Sequence, residues 1–216
     1  MADAALDNDV ILKGASYGVL TDLLASLPGA PYAHGALGAA RFMLPKKLAK
    51  KTVTRMDAAK AELEVALAAL EVLEPTKDER KLAAELQFNA QRASLPLDVG
   101  EAQLTAMAIA RKMRHLLTGD KRAIAALAST RFPDGLPRER LVNRVICFEQ
   151  AIWTLTDALG TANVRATICA EREVDTQMRI CFSCSSPEVS EDSWREGLRA
   201  AIEAVRIDCP DFLVGI

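Results

Sequence analysis

Apolar and polar positions follow two periods along the chain, one typical of short buried strands and one typical of amphipathic helices. Apolar runs bounded by polar or turn residues predict strands at 6–12, 39–44, 116–118 and 144–148. Apolar positions at helical spacing, with caps and breakers at their ends, predict helices at 15–27, 57–73, 77–93, 99–112, 121–129, 149–159 and 190–206. Strands therefore alternate with helices through most of the chain.

This alternation predicts a three-layer α/β/α fold with a mainly parallel central sheet in a first domain, residues 1–150. Residues 151–216 contain strand-like runs at 164–169 and 174–184, and we expect them to form an α+β C-terminal extension packed on that domain. The length of 216 residues and the hydrophobic content of 50% suffice for a large core. Folding without disulfide bonds is therefore expected.

Charge and apolar patterning limit the compartment and the partners. The formal net charge of −2 gives no general attraction to nucleic acid, so contact with phosphates needs a local basic surface. No apolar run approaches the roughly 20 residues that span a bilayer, and the N-terminus lacks the pattern of a secretory signal. The cysteines number five, which is odd, so we expect a soluble cytoplasmic protein without a membrane partner.

Three acidic residues lie where parallel sheets bind ligands. Asp7 lies at the first predicted strand, Glu101 in the first turn of helix 99–112, and Asp120 directly after strand 116–118. Because such sheets carry their ligand groups at the carboxyl ends of the strands, these segments are expected to meet at one edge. A few carboxylates with open coordination positions suit Mg²⁺ or Mn²⁺. Such an ion could activate a water for attack on a phosphodiester.

Each of these acids also has a purely structural interpretation. Asp98 and Glu101 have the spacing of a capping box, in which Asp98 caps the helix and Glu101 bonds back to it. Asp120 could begin helix 121–129 as its cap, and Asp9 could be a solvated loop residue. Cap and metal ligand both stay open for Glu101 and Asp120.

Taken together and in order, the acidic motifs resemble those of the PIN-domain family of metal-dependent ribonucleases. The Leu-Asp-Asn-Asp-Val-Ile-Leu opening at 6–12 is similar to the family's Asp-Thr-Asn-Val-Leu-Ile. The Asp-Val-Gly-Glu-Ala segment at 98–102 resembles the Asp-x-Gly-Glu-Ala helix start of one branch of the family. The Leu-Thr-Gly-Asp-Lys segment at 117–121 is similar to the family's strand end, Thr-x-Asp-Lys. The resemblance covers roughly residues 5–150.

The resemblance implies a divalent-metal-dependent endoribonuclease in which Asp7, Glu101 and Asp120 hold one Mg²⁺ or Mn²⁺ ion that activates water. RNA is the implied substrate, and many relatives are toxins neutralised by an antitoxin, so a protein regulator of this kind is open here. A homodimer is open as well.

The family usually carries a further early acid, for which this chain offers no certain match. The candidates on helix 57–73 are Asp57, Glu62 and Glu64, of which Glu62 or Glu64 is favoured by position. Asp9 and Asp98 are additional acids close to the motifs. If none of them reaches the site, the alternative is a catalytically degenerate PIN-like module that binds RNA or a protein.

A basic run without a single acid lies between the first two predicted long helices. It consists of Lys46, Lys47, Lys50, Lys51 and Arg55. The run could hold an RNA backbone, because phosphates give affinity that does not depend on sequence. It could equally be a solvated helix face.

The cysteines allow a second kind of site. Cys181 and Cys184 have the two-residue gap of a zinc pair, and Cys147 and Cys169 lie upstream as further candidate ligands. A zinc site normally uses two close pairs, whereas this chain has one, so buried and inert cysteines are the favoured interpretation. His34 and His115 receive no role.

Overall fold

A parallel sheet of five short strands forms the centre of the structure, a computed structural model that describes residues 2–186 and 188–215. The strands are β1 Ala4–Leu6, β2 His34–Leu37, β3 Glu71–Leu73, β4 His115–Thr118 and β5 Val145–Cys147. Their order in the sheet is β3-β2-β1-β4-β5, and every pairing between neighbours is parallel. In register, Leu6 of β1 is paired with Ala36 on one side and with Leu117 on the other.

Helices connect these strands and cover the sheet. They are α1 Asn8–Tyr17, α2 Leu20–Ala25, α3 Ala40–Leu48, α4 Met56–Ala69, α5 Lys77–Arg92, α6 Val99–Ala110, α7 Lys121–Ser129, α8 Phe148–Leu159, α9 Thr161–Ala170, α10 Thr176–Cys181 and α11 Glu191–Asp208. A short 3₁₀ helix spans Arg138–Leu141. None of the helices in the described ranges combines the length and the apolar character that crossing a membrane requires.

Successive strand residues point to opposite faces of the sheet, and helices bury both faces. In β1, Ala4 and Leu6 contribute to one apolar cluster and Ala5 to the other; Leu116 and Leu117 of β4 are divided in the same way. Helices α1 to α4 and α8 to α10 supply the first cluster, α5 to α7 the second, and α11 contributes to both. The predicted three-layer α/β/α fold with a parallel sheet is thereby confirmed.

The strand order creates a crevice beside the central strand. From β1 the chain moves outward through β2 and β3, then returns to the other side of β1 for β4 and β5. The connections after β1 and β4 therefore run in opposite directions, which is where open parallel sheets bind ligands. Asp7 follows β1 directly, and its backbone N–H donates to the Leu117 carbonyl of β4 at 2.9 Å. The two strand ends are joined at the crevice.

The first predicted strand is wrong in its position. The strand is Ala4–Leu6, and most of the apolar run at 6–12 belongs to α1, which Asp7 caps and Gly18 ends in the left-handed region at φ 71°. Val10 and Ile11 are fully buried in that helix. Two of the three strand residues are alanines, which favour helices over strands, so local preference gave no sign of β1.

Other predicted elements also differ from the structure. The predicted strand 39–44 is helix α3, in which Leu44 and Leu48, one turn apart, are both fully buried. Pro45 hid this helical spacing, because a proline inside a pattern usually ends a helix. The predicted helix 57–73 ends at Ala69, and the next residues form β3. Strand β2 lies in a Gly/Pro-rich stretch for which no strand or helix was predicted.

The C-terminal extension is helical where strand-like runs were expected. The runs 164–169 and 174–184 lie largely in α9 and α10. An isolated bridge joins Leu213 to Val145 of β5 in parallel orientation. Apolar side chains of the extension, among them Ile168 and Leu198, belong to the same cluster as β1. The extension and the sheet thus share one core.

A disulfide bond corrects the expectation for the cysteines. Cys169 of α9 is bonded to Cys184, which follows α10. Cys147, Cys181 and Cys209 are free and buried. A zinc site built on Cys181 and Cys184 needs both thiolates, and the sulfur of Cys184 is already bonded. The bond instead ties α9 to the turn after α10.

Candidate functional site

A cleft of about 620 Å³ opens at the carboxyl ends of β1 and β4, where the connections of the sheet diverge. Its acidic lining residues are Asp7, Asp9, Asp98, Glu101 and Asp120. Its basic lining residues are Lys13, Lys47 and Arg122. The three acids that the sequence motifs single out are therefore brought to one cleft from three distant segments.

Asp7 is the innermost of these acids and is both a helix cap and a buried carboxyl. Its Oδ1 accepts from the backbone N–H of Asn8 at 2.7 Å, and its Oδ2 accepts from the Thr118 hydroxyl at 3.4 Å. Burial raises the pKa of Asp7 to about 6, and the nearby charges of Asp9 and Asp98 act in the same direction. The hydrogen bond at the helix start therefore does not fully compensate for the loss of solvent.

Glu101 is the second half of the capping box that the sequence predicts. The Asp98 N–H donates to Glu101 Oε2 at 2.8 Å, and the Glu101 N–H donates to Asp98 Oδ1 at 2.8 Å. Burial raises the pKa of Glu101 to about 7, despite the Asp98 backbone hydrogen bond, and the charges of Asp98, Asp120 and Asp7 add to the rise. A helix cap alone would favour the charged carboxylate. The raised pKa therefore reflects burial first and the neighbouring acids second.

Asp120 caps α7 and is held by an arginine at the mouth of the cleft. Its Oδ1 accepts from the backbone N–H groups of Arg122 and Ala123, and its Oδ2 lies 3.1 Å from the Arg122 guanidinium. Burial on its own would raise the pKa of Asp120, but the hydrogen bonds from Arg122 and Ala123 outweigh it and lower the pKa. Asp120 thus stays ionised to a lower pH than Asp7 and Glu101 do.

Asp9 is turned toward a lysine that the C-terminal extension helps to hold. Lys13 Nζ lies 2.7 Å from Asp9 Oδ2 and 2.7 Å from Asp175 Oδ2, at the start of α10. The Asp9 carboxylate also lies against Gly119, whose missing side chain leaves room for it. Burial alone would lower the pKa of Lys13, but the two carboxylates reverse this and raise it. The extension therefore sets the charge balance on one wall of the cleft.

The carboxylate oxygens of this cleft suit a hard divalent cation, but in the structure they are not arranged as a set of metal ligands. Carboxylates are the ligands that Mg²⁺ and Mn²⁺ prefer. Over residues 2–186 and 188–215, however, no three acidic, histidine or cysteine side chains are grouped closely enough to hold an ion in the conformation described. Asp120 is paired with Arg122, and Glu101 with the start of α6. Ion binding would need these carboxylates to turn inward.

Other predicted residues lie outside the cleft. Glu62 on α4 accepts from the Thr21 N–H at 2.7 Å, and Glu64 lines a separate groove between α3 and α4.

The residues of the basic run have different surroundings. Arg55 is bound to Glu171, which is almost fully buried, and to the Tyr17 carbonyl. Of the basic run, Lys47 lines the cleft. Lys46, Lys50 and Lys51 are exposed and do not line it.

Sequence reasoning missed three charged residues at this site. Lys13 was hidden because 6–12 was interpreted as a strand; the four-residue spacing from Asp9 is that of a helical ion pair and could have indicated α1. Arg122 follows Asp120 too closely to be distinguished from an ordinary helix start. Asp175 lies in a run interpreted as strand-like, and only the three-dimensional packing brings it to Lys13.

Similarity to known proteins adds no assignment to this cleft. No protein-family model, no curated protein and no solved structure matches the chain. The resemblance to PIN domains therefore rests on the three motifs at 6–12, 98–102 and 117–121.

Proposed function

We propose that the protein is a divalent-metal-dependent endoribonuclease of PIN-like type, with Asp7, Glu101 and Asp120 as the ligands of one Mg²⁺ or Mn²⁺ ion. The observation that carries the proposal is that Asp7, Glu101 and Asp120, from three distant segments, line one cleft at the strand ends. Burial and, to a smaller extent, mutual repulsion raise the pKa of Asp7 and of Glu101 there. A divalent cation relieves such repulsion and releases the retained protons. RNA as the substrate is the implication of the family resemblance.

Different residues of the cleft would have different roles in hydrolysis. A bound ion would supply a water of lowered pKa and would neutralise charge on the phosphate. Lys47 and Arg122, which line the same cleft, are the groups that would bind phosphate oxygens. Thr118 orients the buried carboxyl of Asp7 and also accepts from the Asp120 N–H at 3.2 Å. One hydroxyl thus fixes the strand end between two proposed ligands.

A catalytically degenerate module that binds RNA or a protein is the second candidate. A specific observation favours it: the wall of the cleft formed by α3 contributes Met43 and Lys47 where a further acid would complete the family pattern. Glu62 and Glu64 lie elsewhere on α4. Such a module would bind its partner through the same cleft without cutting RNA.

Cleavage of a labelled single-stranded RNA separates the two candidates. The wild-type protein should cut in Mg²⁺ or Mn²⁺ and not in EDTA. Asp120→Asn should cut at least about 100-fold more slowly, because even groups that only orient metal ligands contribute about 10- to 100-fold. The matched control is Asp134→Asn, an exposed aspartate outside the cleft lining, which should cut at the wild-type rate.

The result of this assay has a direct interpretation. Equal activity of wild-type protein and Asp120→Asn would exclude the proposed ligand set, and contamination would then explain any cleavage. A wild-type protein that binds the RNA with full occupancy but never cuts it, in either metal, would favour the degenerate module.

A further inference from the structure

One face of α3 exposes apolar side chains next to lysines at the edge of the cleft. Phe42 is 75% exposed and Met43 is 41% exposed. Lys46 lies one helical turn after Phe42, and Lys47 lies one turn after Met43, so the four side chains form two adjacent rows on the helix. Met43 and Lys47 line the acidic cleft, which makes this face the continuation of the cleft wall.

The lysines of this segment are not used by the fold. Residues 40–56 contain no acidic residue. Lys46, Lys47, Lys50 and Lys51 make no ion pair with any residue in the described part of the chain. Arg55, at the end of the segment, differs from them because Glu171 holds its guanidinium. A local positive surface therefore lies beside the cleft on a protein whose net charge is −2.

An exposed phenyl ring among unpaired lysines matches one kind of ligand. A single-stranded nucleic acid carries phosphates for the lysines and flat unpaired bases that stack on aromatic rings. A duplex keeps its bases inside the stack, so it offers nothing to the ring. A protein partner would need an acidic surface with an apolar centre. The adjoining cleft, which is itself rich in acids, does not favour such a partner.

We propose that Phe42 is a base-stacking subsite for single-stranded RNA, and that Lys46, Lys47 and Lys50 hold the phosphates beside that base. This inference deepens the proposed function and rests on it for the choice of RNA. Met43 and Lys47, which neighbour the subsite on α3, line the same cleft as the proposed metal ligands. A strand bound there would lead its backbone from α3 into the acidic cleft.

Phe88 offers a matched control within the same chain. It lies on α5, is 56% exposed, and has Arg92 one turn further along with its guanidinium 5.9 Å from the ring centre. It therefore shares with Phe42 an exposed ring and a cation at the same helical spacing. It differs in lying outside the cleft wall.

Binding in EDTA tests the subsite without any cleavage. Fluorescence anisotropy would be measured with a labelled oligouridine of about ten nucleotides, near the usual site sizes of such proteins, and with an abasic strand of equal length. Phe42→Ala should weaken oligouridine binding about tenfold and leave abasic binding unchanged, because only the base stacks. Phe42→Trp should bind oligouridine at least as tightly as wild type. Phe88→Ala should bind oligouridine with the wild-type affinity.

Lysine variants give the complementary result. Lys46→Ala and Lys50→Ala should weaken the binding of both the oligouridine and the abasic strand. In a plot of the logarithm of the binding constant against the logarithm of salt concentration, each lost phosphate contact should make the slope shallower by about one unit. The inference is overturned if Phe42→Ala binds oligouridine like wild type, or loses abasic binding equally. It is also overturned if Phe42→Ala changes only the sedimentation mass, since the face is then a protein interface.

The assay separates this inference from the nuclease proposal. A protein that binds with the expected Phe42 dependence but does not cut RNA in Mn²⁺ retains the subsite and loses the nuclease. A protein that cuts RNA while Phe42→Ala binds normally retains the nuclease and loses the subsite.

Discussion

Helices α5 and α6 begin with the same local motif in opposite electrostatic surroundings. Each starts with a capping box, Thr76 with Glu79 in α5 and Asp98 with Glu101 in α6. Glu79 accepts two hydrogen bonds from the Arg111 guanidinium, 2.7 and 2.8 Å long, and this pairing lowers its pKa to about 2. Burial and three neighbouring acids raise the pKa of Glu101 to about 7.

The contrast separates a structural glutamate from a candidate ligand. Both satisfy the backbone at a helix start, so the motif itself does not distinguish them. Glu79 already has a cation within the chain, and its negative charge stabilises the fold. Glu101 lies near Asp7, Asp98 and Asp120 and forms no ion pair in the described part of the chain. Arg122, the cation whose charge reaches it, is bonded to Asp120 instead. A negative charge that the fold makes costly is the property expected of a group that binds an ion.

Replacing each glutamate by glutamine should change stability in opposite directions. Glutamine preserves a capping box, so the comparison isolates the charge. In EDTA at pH 8, Glu79→Gln should lower the free energy of unfolding by about 1 to 3 kcal/mol through the loss of charge-assisted hydrogen bonds. Glu101→Gln should raise it by about 1 kcal/mol, allowing for the solvent that screens a half-buried group.

Urea unfolding at a single pH measures both changes. Midpoints that shift in the same direction in both variants would contradict the assigned difference between Glu79 and Glu101.

Asp7→Asn should make the stability less sensitive to pH. The folded pKa of Asp7, about 6, lies above its ordinary value of 3.8, so the folded chain keeps a proton that the unfolded chain loses between those two values. Raising the pH through this window therefore lowers the stability of the metal-free wild-type protein. Relative to wild type, Asp7→Asn should gain up to about 2 kcal/mol between pH 4 and pH 7.

The pH series needs a carboxyl of opposite behaviour as its control. The pKa of Glu79 lies below its ordinary value of 4.5, so its stabilising effect is lost as the pH falls from about 4.5 toward 2. The Glu79→Gln curve should therefore converge with wild type at low pH. A Glu101 or Asp7 variant that converged with wild type at the acid end, after a deficit at pH 8, would contradict the assigned pKa shifts.

Arg122→Ala should have the smallest effect, visible in metal binding. Arg122 occupies both oxygens of Asp120 in the metal-free structure, and its side chain is largely exposed. Its removal frees Asp120 for an ion and should tighten Mn²⁺ binding by about two- to fivefold, in line with the small effects of exposed ion pairs. RNA affinity should fall in the same variant, because a phosphate-binding cation is lost. Unchanged Mn²⁺ and RNA affinities would show that Arg122 has no part in the site.

What could be predicted from the sequence was local. Helix α7 at 121–129 and the capping box at Asp98 and Glu101 are short-range patterns, and both match the structure. Strand β1 was misplaced because its alanines are held as a strand by pairing with β2 and β4 rather than by their own preference. Helix α3 was missed because Pro45 concealed a helical repeat.

The meeting of three acids at one cleft was predictable from the sequence, whereas the basic residues of the cleft and its electrostatics were not. The order of Asp7, Glu101 and Asp120 along the chain was enough to expect a common edge of the sheet. The pairing of Lys13 with Asp175 depends on how the extension packs, which no local pattern carries. The raised pKa of Glu101 likewise depends on burial and, to a smaller extent, on Asp98, Asp120 and Asp7, and only the folded chain produces either.

Mn²⁺ titration by calorimetry at pH 7, in two buffers with different ionisation enthalpies, tests most directly whether these acids share an ion. A shared metal site predicts about one ion per chain, with release of up to about one proton as the carboxyls of raised pKa ionise. It also predicts at least about tenfold weaker binding in Glu101→Gln and unchanged binding in Glu79→Gln. Wild-type protein without measurable Mn²⁺ binding, or a Glu101→Gln variant that binds as tightly as wild type, would contradict it.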